Sequence, residues 1–201
     1  MPVLEGDELC RILKSSVDTS HIPVILLTAL SERENIIFGL EAGANDYIIK
    51  PFDLSVLKVR IRNILQNRQH LRDTVLSMDT PPEDTDYTSQ LDKEFMDKVM
   101  ETIEKHLDNG DLTVEDIAGE VNMSRSVFFK KLKTLTGLSP VEFLREIRMK
   151  RAAQLIETEE YNMAQIAYMV GLNDSHYFSK CFKQQYGMTP TEYKESRKQN
   201  N

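Results

Sequence analysis

The pattern of apolar and polar positions divides the chain into two parts with different periodicities. Up to about residue 53, short apolar runs alternate with stretches of helical spacing. Residues 23–30 (PVILLTAL) and 46–52 (DYIIKPF) are apolar runs of strand length, as expected for parallel strands buried on both faces. Beyond residue 91 only the helical spacing remains. The pattern therefore predicts an α/β segment followed by an all-α domain.

Helices are predicted around the two strands. Residues 6–16 have one apolar face, and residues 31–44 begin with the capping residue Ser31 and end near Gly43. A long amphipathic helix is predicted from residue 53 toward residue 70 or beyond.

The domain boundaries follow from the polar, acidic segment TPPEDTDYTSQ at residues 80–90, which carries two prolines and is typical of a linker. We expect an α/β domain at residues 1–70, a linker at 71–90 and a helical domain at 91–201.

The helical part contains one sequence pattern twice, about 50 residues apart. Equivalent positions include Ala118 and Ala167, Phe128 and Phe178, Gly137 and Gly187, and Pro140 and Pro190. Such a repeat indicates a supersecondary unit used twice. Each copy has the spacing of a helix-turn-helix, so one chain could reach two successive major grooves of DNA.

Local signals mark the ends of the repeated helices. Four pairs of a capping residue and a polar partner three residues later predict helix starts: Thr113 with Asp116, Ser139 with Glu142, Asn162 with Gln165, and Thr189 with Glu192. Positive φ angles are expected at the turns and helix ends, at Asn122, Gly137, Gly171 and Gly187.

Charge is distributed unevenly along the chain. The formal net charge of −7 argues, taken whole, against nucleic acid as a partner. However, residues 88–124 are strongly acidic, whereas 125–151 are strongly basic with only Glu142 and Glu146 as acids. The basic side of such a domain could bind phosphate, although solvated helix faces would give the same pattern.

The cysteines and apolar runs indicate a cytoplasmic location. Cys10 and Cys181 lie in different predicted domains and have neither disulfide nor metal-ligand spacing, which fits a reducing compartment. No apolar run has the length of a membrane span, and no signal peptide opens the chain. A membrane anchor of a parent protein would have to lie outside this sequence.

The α/β part resembles the receiver domain of bacterial two-component response regulators. The motifs that carry the resemblance are MPVLEG at residues 1–6, PVILLTA at 23–29 and GANDYIIKPF at 43–52. The resemblance implies that Thr28 hydrogen-bonds a phosphoryl oxygen and that Lys50 neutralises its charge through a Lys-Pro bond that is usually cis. It also implies that Tyr47 is the aromatic switch residue, although a half-buried strand aromatic is the alternative.

The resemblance covers only the C-terminal half of a doubly wound receiver. In the family, the phosphoacceptor aspartate and the acidic pair that holds Mg²⁺ precede the Met-Pro pair, which here is residues 1 and 2. We therefore expect no phosphoacceptor, no metal site and no cofactor in this chain, with Mg²⁺ bound only by a complete receiver. A fragment of a larger receiver and a trimmed start are both consistent with this pattern.

The helical part resembles the DNA-binding domain of the AraC/XylS family of transcription regulators. The motifs GLSPVEF and GMTPTEY follow the two predicted recognition helices, and the resemblance extends over residues 95–193. It implies the following base-reading positions, three in the first helix and four in the second: Ser126, Phe129, Lys130, Ser175, His176, Ser179 and Lys180. Lysine suits guanine acceptors, serine suits several base edges, and an aromatic ring suits a thymine methyl group.

Helical phase gives a compatible assignment. The inward stripe of the first helix is Val127, Phe128, Leu132 and Leu135, and that of the second is Tyr177, Phe178, Cys181 and Phe182. Phosphate contacts, which position a protein without specifying sequence, are expected from Arg125, Lys133 and Lys183.

Three of these interpretations leave alternatives open. Phe129 could pack on a neighbouring helix, and His176 could cap or solvate a helix start. The basic residues of the helix between the two units are expected to be solvated or near phosphate: Arg145, Arg148, Lys150 and Arg151.

The sequence thus predicts a sequence-specific DNA-binding transcription regulator, the output module of a two-component phosphorelay. The expected partners are double-stranded DNA, a second copy of the chain, the kinase domain of a two-component system through the intact parent, and RNA polymerase. The alternative is a protein-interaction or dimerisation module built on a receiver remnant that does not bind DNA. An enzyme is not expected, because no catalytic constellation is present in the sequence.

Overall fold

The computed structural model describes residues 5–29, 33–77 and 89–198. The chain forms two compact units. The first comprises Met1–Asp97 and Ser126–Gly137, and the second comprises Lys98–Arg125 and Leu138–Asn201.

The α/β part of the first unit has the predicted alternation of helices and strands. Its elements are α1 (Gly6–Ser15), β1 (Ile25–Thr28), α2 (Arg33–Glu41), β2 (Asp46–Ile49) and α3 (Leu54–Ser77). The two strands pair in parallel, with Ile25 opposite Asp46 and Thr28 opposite Ile49. Strand β1 is shorter than the apolar run that predicts it. Just before the strand, the Val24 N–H donates to Asn45 Oδ1, and the Val24 carbonyl accepts the Asn45 N–H.

A small core holds α1 against the α2–β2 connection. Cys10, Ala42 and Ala44 are buried, and burial raises the pKa of the Cys10 thiol. Lys14 is also buried, and its Nζ donates to Ser20 O, Ile22 O and Asn45 Oδ1 at 3.1, 2.8 and 3.0 Å.

The predicted end of α2 at Gly43 is confirmed, whereas its predicted start cannot be compared. Gly43 ends the helix with a φ of +90°, and a Cβ there would lie 3.0 Å from the Lys14 side chain. Glycine therefore meets both the conformational and the steric demand at this position. The predicted capping residue Ser31 lies outside the described residues.

Helix α3 runs beyond residue 70, as the amphipathic pattern allows, and ends at Ser77. Residues 71–77 are therefore helical where a linker is expected. No Gly or Pro interrupts the sequence between Phe52 and Pro81, so no local signal ends the helix earlier. Residues 78–88, most of the predicted linker, lie outside the described residues.

The rest of the described chain is helical, as predicted. The helices are α4 (Gln90–Lys105), α5 (Val114–Glu120), α6 (Arg125–Thr136), α7 (Pro140–Glu157), α8 (Met163–Met169), α9 (Ser175–Tyr186) and α10 (Pro190–Lys198). None of the helices within the described ranges combines the length and the apolar character needed to cross a bilayer.

The predicted helix starts and turns of the repeat are confirmed. Capping boxes with both reciprocal hydrogen bonds open α5, α7 and α8, and Thr189 and Glu192 exchange the same bonds before α10. All four expected residues have positive φ: Asn122 (56°), Gly137 (75°), Gly171 (70°) and Gly187 (75°).

The core of the second unit is formed by the second copy of the repeat together with α7 and α10. Phe182 stacks on Tyr186 with a centroid distance of 4.6 Å and meets the edge of Tyr193 at 5.4 Å. Other fully buried members lie on α7 and α8 (Met149, Ala152 and Ile166). Burying large aromatic side chains contributes strongly to stability, so this cluster fixes α9 on the scaffold of the unit.

Candidate nucleic-acid interface

The two recognition helices of the repeat are α6 and α9, each with 12 residues. On α6, Phe128, Leu132 and Leu135 are buried, and Val127 is half-buried. The predicted outward residues are all exposed: Arg125, Ser126, Phe129, Lys130 and Lys133. The helical phase predicted for α6 is therefore confirmed, and one polar face remains open to a ligand.

Phe129 is the apolar member of this face. Its side chain is 39% exposed, and Lys133 Nζ lies 5.8 Å from the ring centroid. A lysine above an aromatic ring is attracted to its negative face. Both side chains can therefore reach the same groove, the ring toward apolar base edges and the ammonium toward phosphate.

Arg125 is oriented by an exposed ion pair. Its Nη1 lies 3.0 Å from Glu115 Oε1. An exposed ion pair of this type contributes little free energy, so a phosphate could compete for the guanidinium.

Helix α9 is capped by Asp174 and not by His176, which the sequence offers as one alternative. Asp174 Oδ1 accepts the backbone N–H groups of His176 and Tyr177 at 2.8 and 3.1 Å. These two bonds, of which the one from the Tyr177 N–H has the larger effect, hold the pKa of the Asp174 carboxyl below its usual value. The capping side chain is thus Asp174, and the His176 imidazole is exposed.

The outward residues of α9 largely follow the prediction. Ser175, His176, Lys180 and Lys183 are exposed, and Ser179 is half-buried. Phe178, Cys181 and Phe182 are buried, as the helical phase requires.

Tyr177 departs from the prediction of an inward position, because its side chain is 49% exposed. It lies in the first turn of α9, where the buried stripe is not yet complete. The pKa of its hydroxyl is raised, chiefly by a hydrogen bond with Cys181. A neutral phenol beside Arg145 is a suitable donor to a phosphate or base edge, so Tyr177 is an interface candidate that sequence reasoning misses.

Arg148 also departs from its prediction, because it is buried where a solvated residue is expected. Its Nη2 donates to Asn109 O at 2.7 Å, and burial lowers the pKa of its guanidinium. A Cβ on Gly171 would lie 2.7 Å from the same nitrogen. Arg148 therefore ties α7 to the α4–α5 connection and packs closely against the turn at Gly171, so it is a structural residue.

A cavity of about 320 Å³ lies within the second unit beside Arg148. Tyr177, Arg145 and Arg125 line it together with apolar residues that include Val141 and Leu144. The cavity thus adds a cationic, partly apolar recess next to the start of α9.

Lys131 on α6 is a buried side chain that sequence reasoning assigns to neither face of the helix. It is fully buried and ion-paired to Asp92 at 2.7 Å. The signal was present in the spacing, because Lys131 lies three residues after Phe128 and four before Leu135.

The predicted receiver residues lie at one end of the two-stranded sheet. Thr28 ends β1 and is half-buried, Lys50 follows β2 and is exposed, and Thr28 O accepts the Lys50 N–H at 2.7 Å. The Lys50-Pro51 peptide bond is cis, as the resemblance implies. Tyr47 is half-buried on β2, opposite Leu26. The structure thus brings Thr28 and Lys50 together at the carboxyl end of the strands.

Two protein families match the chain in consecutive segments. The response regulator receiver domain matches residues 1–62, and a helix-turn-helix domain matches residues 117–196. These matches fall on the α/β part and on the repeat.

Individual proteins resemble the chain over different extents. The histidine kinase P4 of Formosa agariphila is 42% identical over 195 residues, which are 96% of this chain and 14% of that protein. The chain thus spans a small part of that relative's length. The C-terminal domain of AraT, a response regulator from Geobacillus stearothermophilus, is 33% identical with a TM-score of 0.48, covering 51% of this chain and 84% of that domain.

A solved structure supports the fold of the helical part. A transcriptional regulator with an AraC-type DNA-binding domain from Chromobacterium violaceum has a TM-score of 0.50 at 25% identity. The match covers 54% of this chain and 96% of that one. Residues 1–62 therefore belong to the response regulator receiver domain family, and residues 117–196 form a helix-turn-helix domain of the AraC type.

Proposed function

We propose that the chain is the sequence-specific DNA-binding output part of a two-component regulator, with α6 and α9 as its reading helices. The observation that carries the proposal is the equivalence of Lys130 and Lys180. They occupy the same position of the repeat, and both are exposed on the faces opposite the buried Phe128 and Phe178.

The proposed base readers are the seven residues predicted from the sequence, with Tyr177 added: Ser126, Phe129, Lys130, Ser175, His176, Tyr177, Ser179 and Lys180. Arg125, Lys133 and Lys183 are proposed to contact phosphate. Exposure of the side chains supports each assignment, with Ser179 half-buried. If each recognition helix enters one major groove, base contacts at the two half-sites would add to the affinity that the phosphate contacts supply.

We further propose a setting for the DNA-binding domain within a longer parent protein. The matches support a role downstream of a kinase domain in a longer cytoplasmic or membrane-anchored parent, with RNA polymerase as a further partner and no enzymatic activity of this segment. Thr28, Tyr47 and Lys50 would act as switch residues only in a complete receiver. We place the helical domain at residues 91–201 and extend the α/β domain to Ser77, where α3 ends.

A second role as an interaction module is favoured by the exposed apolar surface of the α/β part. Leu54 and Leu65 on α3 are 67% and 54% exposed, and Ile12 on α1 is 52% exposed. Exposed apolar side chains in such number often mark a protein contact. We propose that a second copy of the chain is the occupant, which light scattering over a range of concentrations tests directly.

Salt dependence tests the proposed function against the interaction module alone. The full chain is mixed with labelled duplexes of random sequence at several salt concentrations, and binding is measured by fluorescence anisotropy. Phosphate contacts predict that the logarithm of the affinity falls linearly with the logarithm of salt concentration. Repeated selection from the same pool should then enrich one sequence with two half-sites about 10 base pairs apart. Absence of retention at low salt would rule out DNA binding.

A further inference from the structure

The side chain of Lys131 joins the first recognition helix to the α/β part of the first unit. Its Nζ donates to Val17 O, Ser20 Oγ and Asp92 Oδ1 at 2.8, 2.8 and 2.7 Å. Ser20 Oγ in turn donates to Asp92 Oδ1 at 2.7 Å. Lys131, Ser20 and Asp92 each have 0% exposure.

The cluster is complete only when the α1–β1 connection is in place. A lysine ammonium has three N–H donors, and all three find an acceptor here. Two of the acceptors, Val17 O and Ser20 Oγ, belong to the connection between α1 and β1. Without them a buried charge would lack partners, which is strongly unfavourable.

Asp92 depends on the same cluster. Its Oδ1 receives both Lys131 and Ser20, whereas Oδ2 is buried without a hydrogen-bond partner among the described residues. The Phe95 ring lies 5.1 Å from Lys131 Nζ and 5.9 Å from the Phe128 ring, and so closes the cluster on its apolar side. Within the described ranges, the cation that pairs with Asp92 is Lys131 on α6.

The second copy of the repeat shows that the helix-turn-helix itself needs no charge at this position. The residue equivalent to Lys131 is Cys181, which lies in an apolar core with Phe178 and Phe182. A small apolar side chain is thus sufficient in α9. The lysine in α6 instead bonds to acceptors that the α/β part of the first unit provides.

We propose that Lys131 is a positioning residue for base reading, and that it is the joint through which the α/β part sets the position of α6. Successive residues of a helix are rotated by about 100°, so the anchor at Lys131 fixes the direction of the adjacent Lys130 and of Ser126 and Phe129. A displacement of the α1–β1 connection is transmitted to these side chains. The inference rests on the proposed reading role of α6.

The test is the binding of full-length variants to the duplex selected by the unmodified chain. Ser20→Ala removes one acceptor of Lys131 and the donor to Asp92. Ser15→Ala is the matched control, because the Ser15 hydroxyl is exposed and bonds only within α1, to Ile12 O at 3.1 Å. Lys130→Ala and Lys180→Ala identify which half-site belongs to which helix.

We expect Ser20→Ala to weaken binding at the α6 half-site by at least about fivefold, the lower end of usual coupling between sites. Base preference at that half-site should relax, while the α9 half-site and the Ser15→Ala variant should remain unchanged. Equal weakening at both half-sites, or no change at either, would overturn the inference. Absence of DNA binding by the unmodified chain would overturn the proposed function and the inference with it.

A double variant separates positioning from folding. Asp92→Asn with Lys131→Met removes both charges, and replacing a buried pair in this way often preserves stability. If Lys131 positions α6, the double variant should keep its helical content and still lose preference at the α6 half-site. Unchanged preference in a folded double variant would contradict the proposal.

Lysine labelling tests the joint without DNA. The full chain is treated with limiting acetic anhydride, and acetylation is read by mass spectrometry. Lys131 should react at least about tenfold more slowly than the exposed Lys130 and Lys133, because opening of a buried group limits its reaction. Ser20→Ala should raise the rate at Lys131 alone. Equal rates at Lys130 and Lys131 in the unmodified chain would show that the joint is absent.

Discussion

Lys130 and Lys180 are exposed, on the faces of α6 and α9 opposite the buried Phe128 and Phe178. Loss of either side chain should therefore affect DNA and leave the fold intact. We expect Lys130→Ala and Lys180→Ala each to relax base preference at one half-site. The expected cost is about 1–3 kcal/mol, the usual value of a good base contact.

The matched control for these variants is Lys183→Ala, one turn further along α9. A phosphate contact reads no base, so this change should weaken all sequences about equally and lower the salt slope by roughly one unit. Competition against a randomised operator library measures both quantities. If all three variants select the original sequence, base reading by Lys130 and Lys180 is wrong, although DNA binding could persist.

Tyr186 provides a prediction at high pH. Burial raises the pKa of its hydroxyl to about 12, above the ordinary value of 10.0. The folded state therefore favours the protonated phenol, so this contribution to stability is complete below pH 10 and is lost as the pH rises toward 12. Tyr186→Phe, which cannot ionise, should reduce the fall in urea midpoint over this interval.

Exposed Tyr168 supplies the control, since its side chain is 66% exposed. Tyr168→Phe should leave the pH dependence of the urea midpoint as it is in the unmodified chain. A Tyr186→Phe variant with the full alkaline loss would show that other groups cause it.

At the scale of elements, local signals predict more than distant ones. Capping pairs act within three residues and glycines act at their own φ angle, so the helix starts and turns of the repeat could be predicted from sequence. The same holds for the two strands and for the open face of α6.

Lys131, which helical phase leaves unassigned, and Arg148, which it misassigns, owe their environment to partners far along the chain. Lys131 can be buried because Ser20 and Asp92 accept hydrogen bonds from its ammonium group. Arg148 can be buried because the Asn109 carbonyl accepts a hydrogen bond from its guanidinium. Helical spacing places Lys131 on the buried stripe of α6, but neither spacing nor composition identifies the acceptors of Lys131 or Arg148. A basic residue on an apolar face is the one visible sign, and by itself it does not reveal the acceptor.

The turn of the second helix-turn-helix gives a test of such an environment. Gly171 has a φ of +70°, and a Cβ would lie 2.7 Å from both Arg148 Nη2 and Leu107 O. Gly171→Ala should therefore destabilise the chain by about 1–3 kcal/mol through backbone strain, with a further cost from the contact. Thermal or urea unfolding measures this change.

Gly119 in α5 is the matched control. A Cβ there would meet no atom within 4 Å, and the residue is helical. Gly119→Ala should leave stability unchanged or raise it by up to about 1 kcal/mol. If both variants unfolded at the same urea concentration, the steric role of Gly171 would be excluded.

At the scale of the whole molecule, the two parts differ in how completely they bury their apolar residues. The α/β part has a small core around Cys10 and many exposed apolar side chains. The second unit buries a continuous cluster that draws on residues 149–193 only. Stability of the second unit should therefore depend little on the α/β part.

This difference predicts that a fragment of residues 89–201 folds and binds DNA. The fragment keeps Asp92 with Lys131, the capped helices and the aromatic cluster of Phe182, Tyr186 and Tyr193. Circular dichroism should show high helical content, and the fragment should retain the salt-dependent binding of the full chain. A fragment with little helix would contradict the separate stability of the second unit.

The same fragment distinguishes folding from positioning. It lacks Val17 and Ser20, so Lys131 keeps one of its three acceptors, and α6 loses its tie to the α1–β1 connection. We expect the α9 half-site to be bound as in the full chain and the α6 half-site to be bound more weakly, by about fivefold or more. Equal binding of both half-sites by fragment and full chain would mean that α6 reads DNA independently of the α/β part. The cost of the lost acceptors would then be met by water, which can reach Lys131 once the connection is removed.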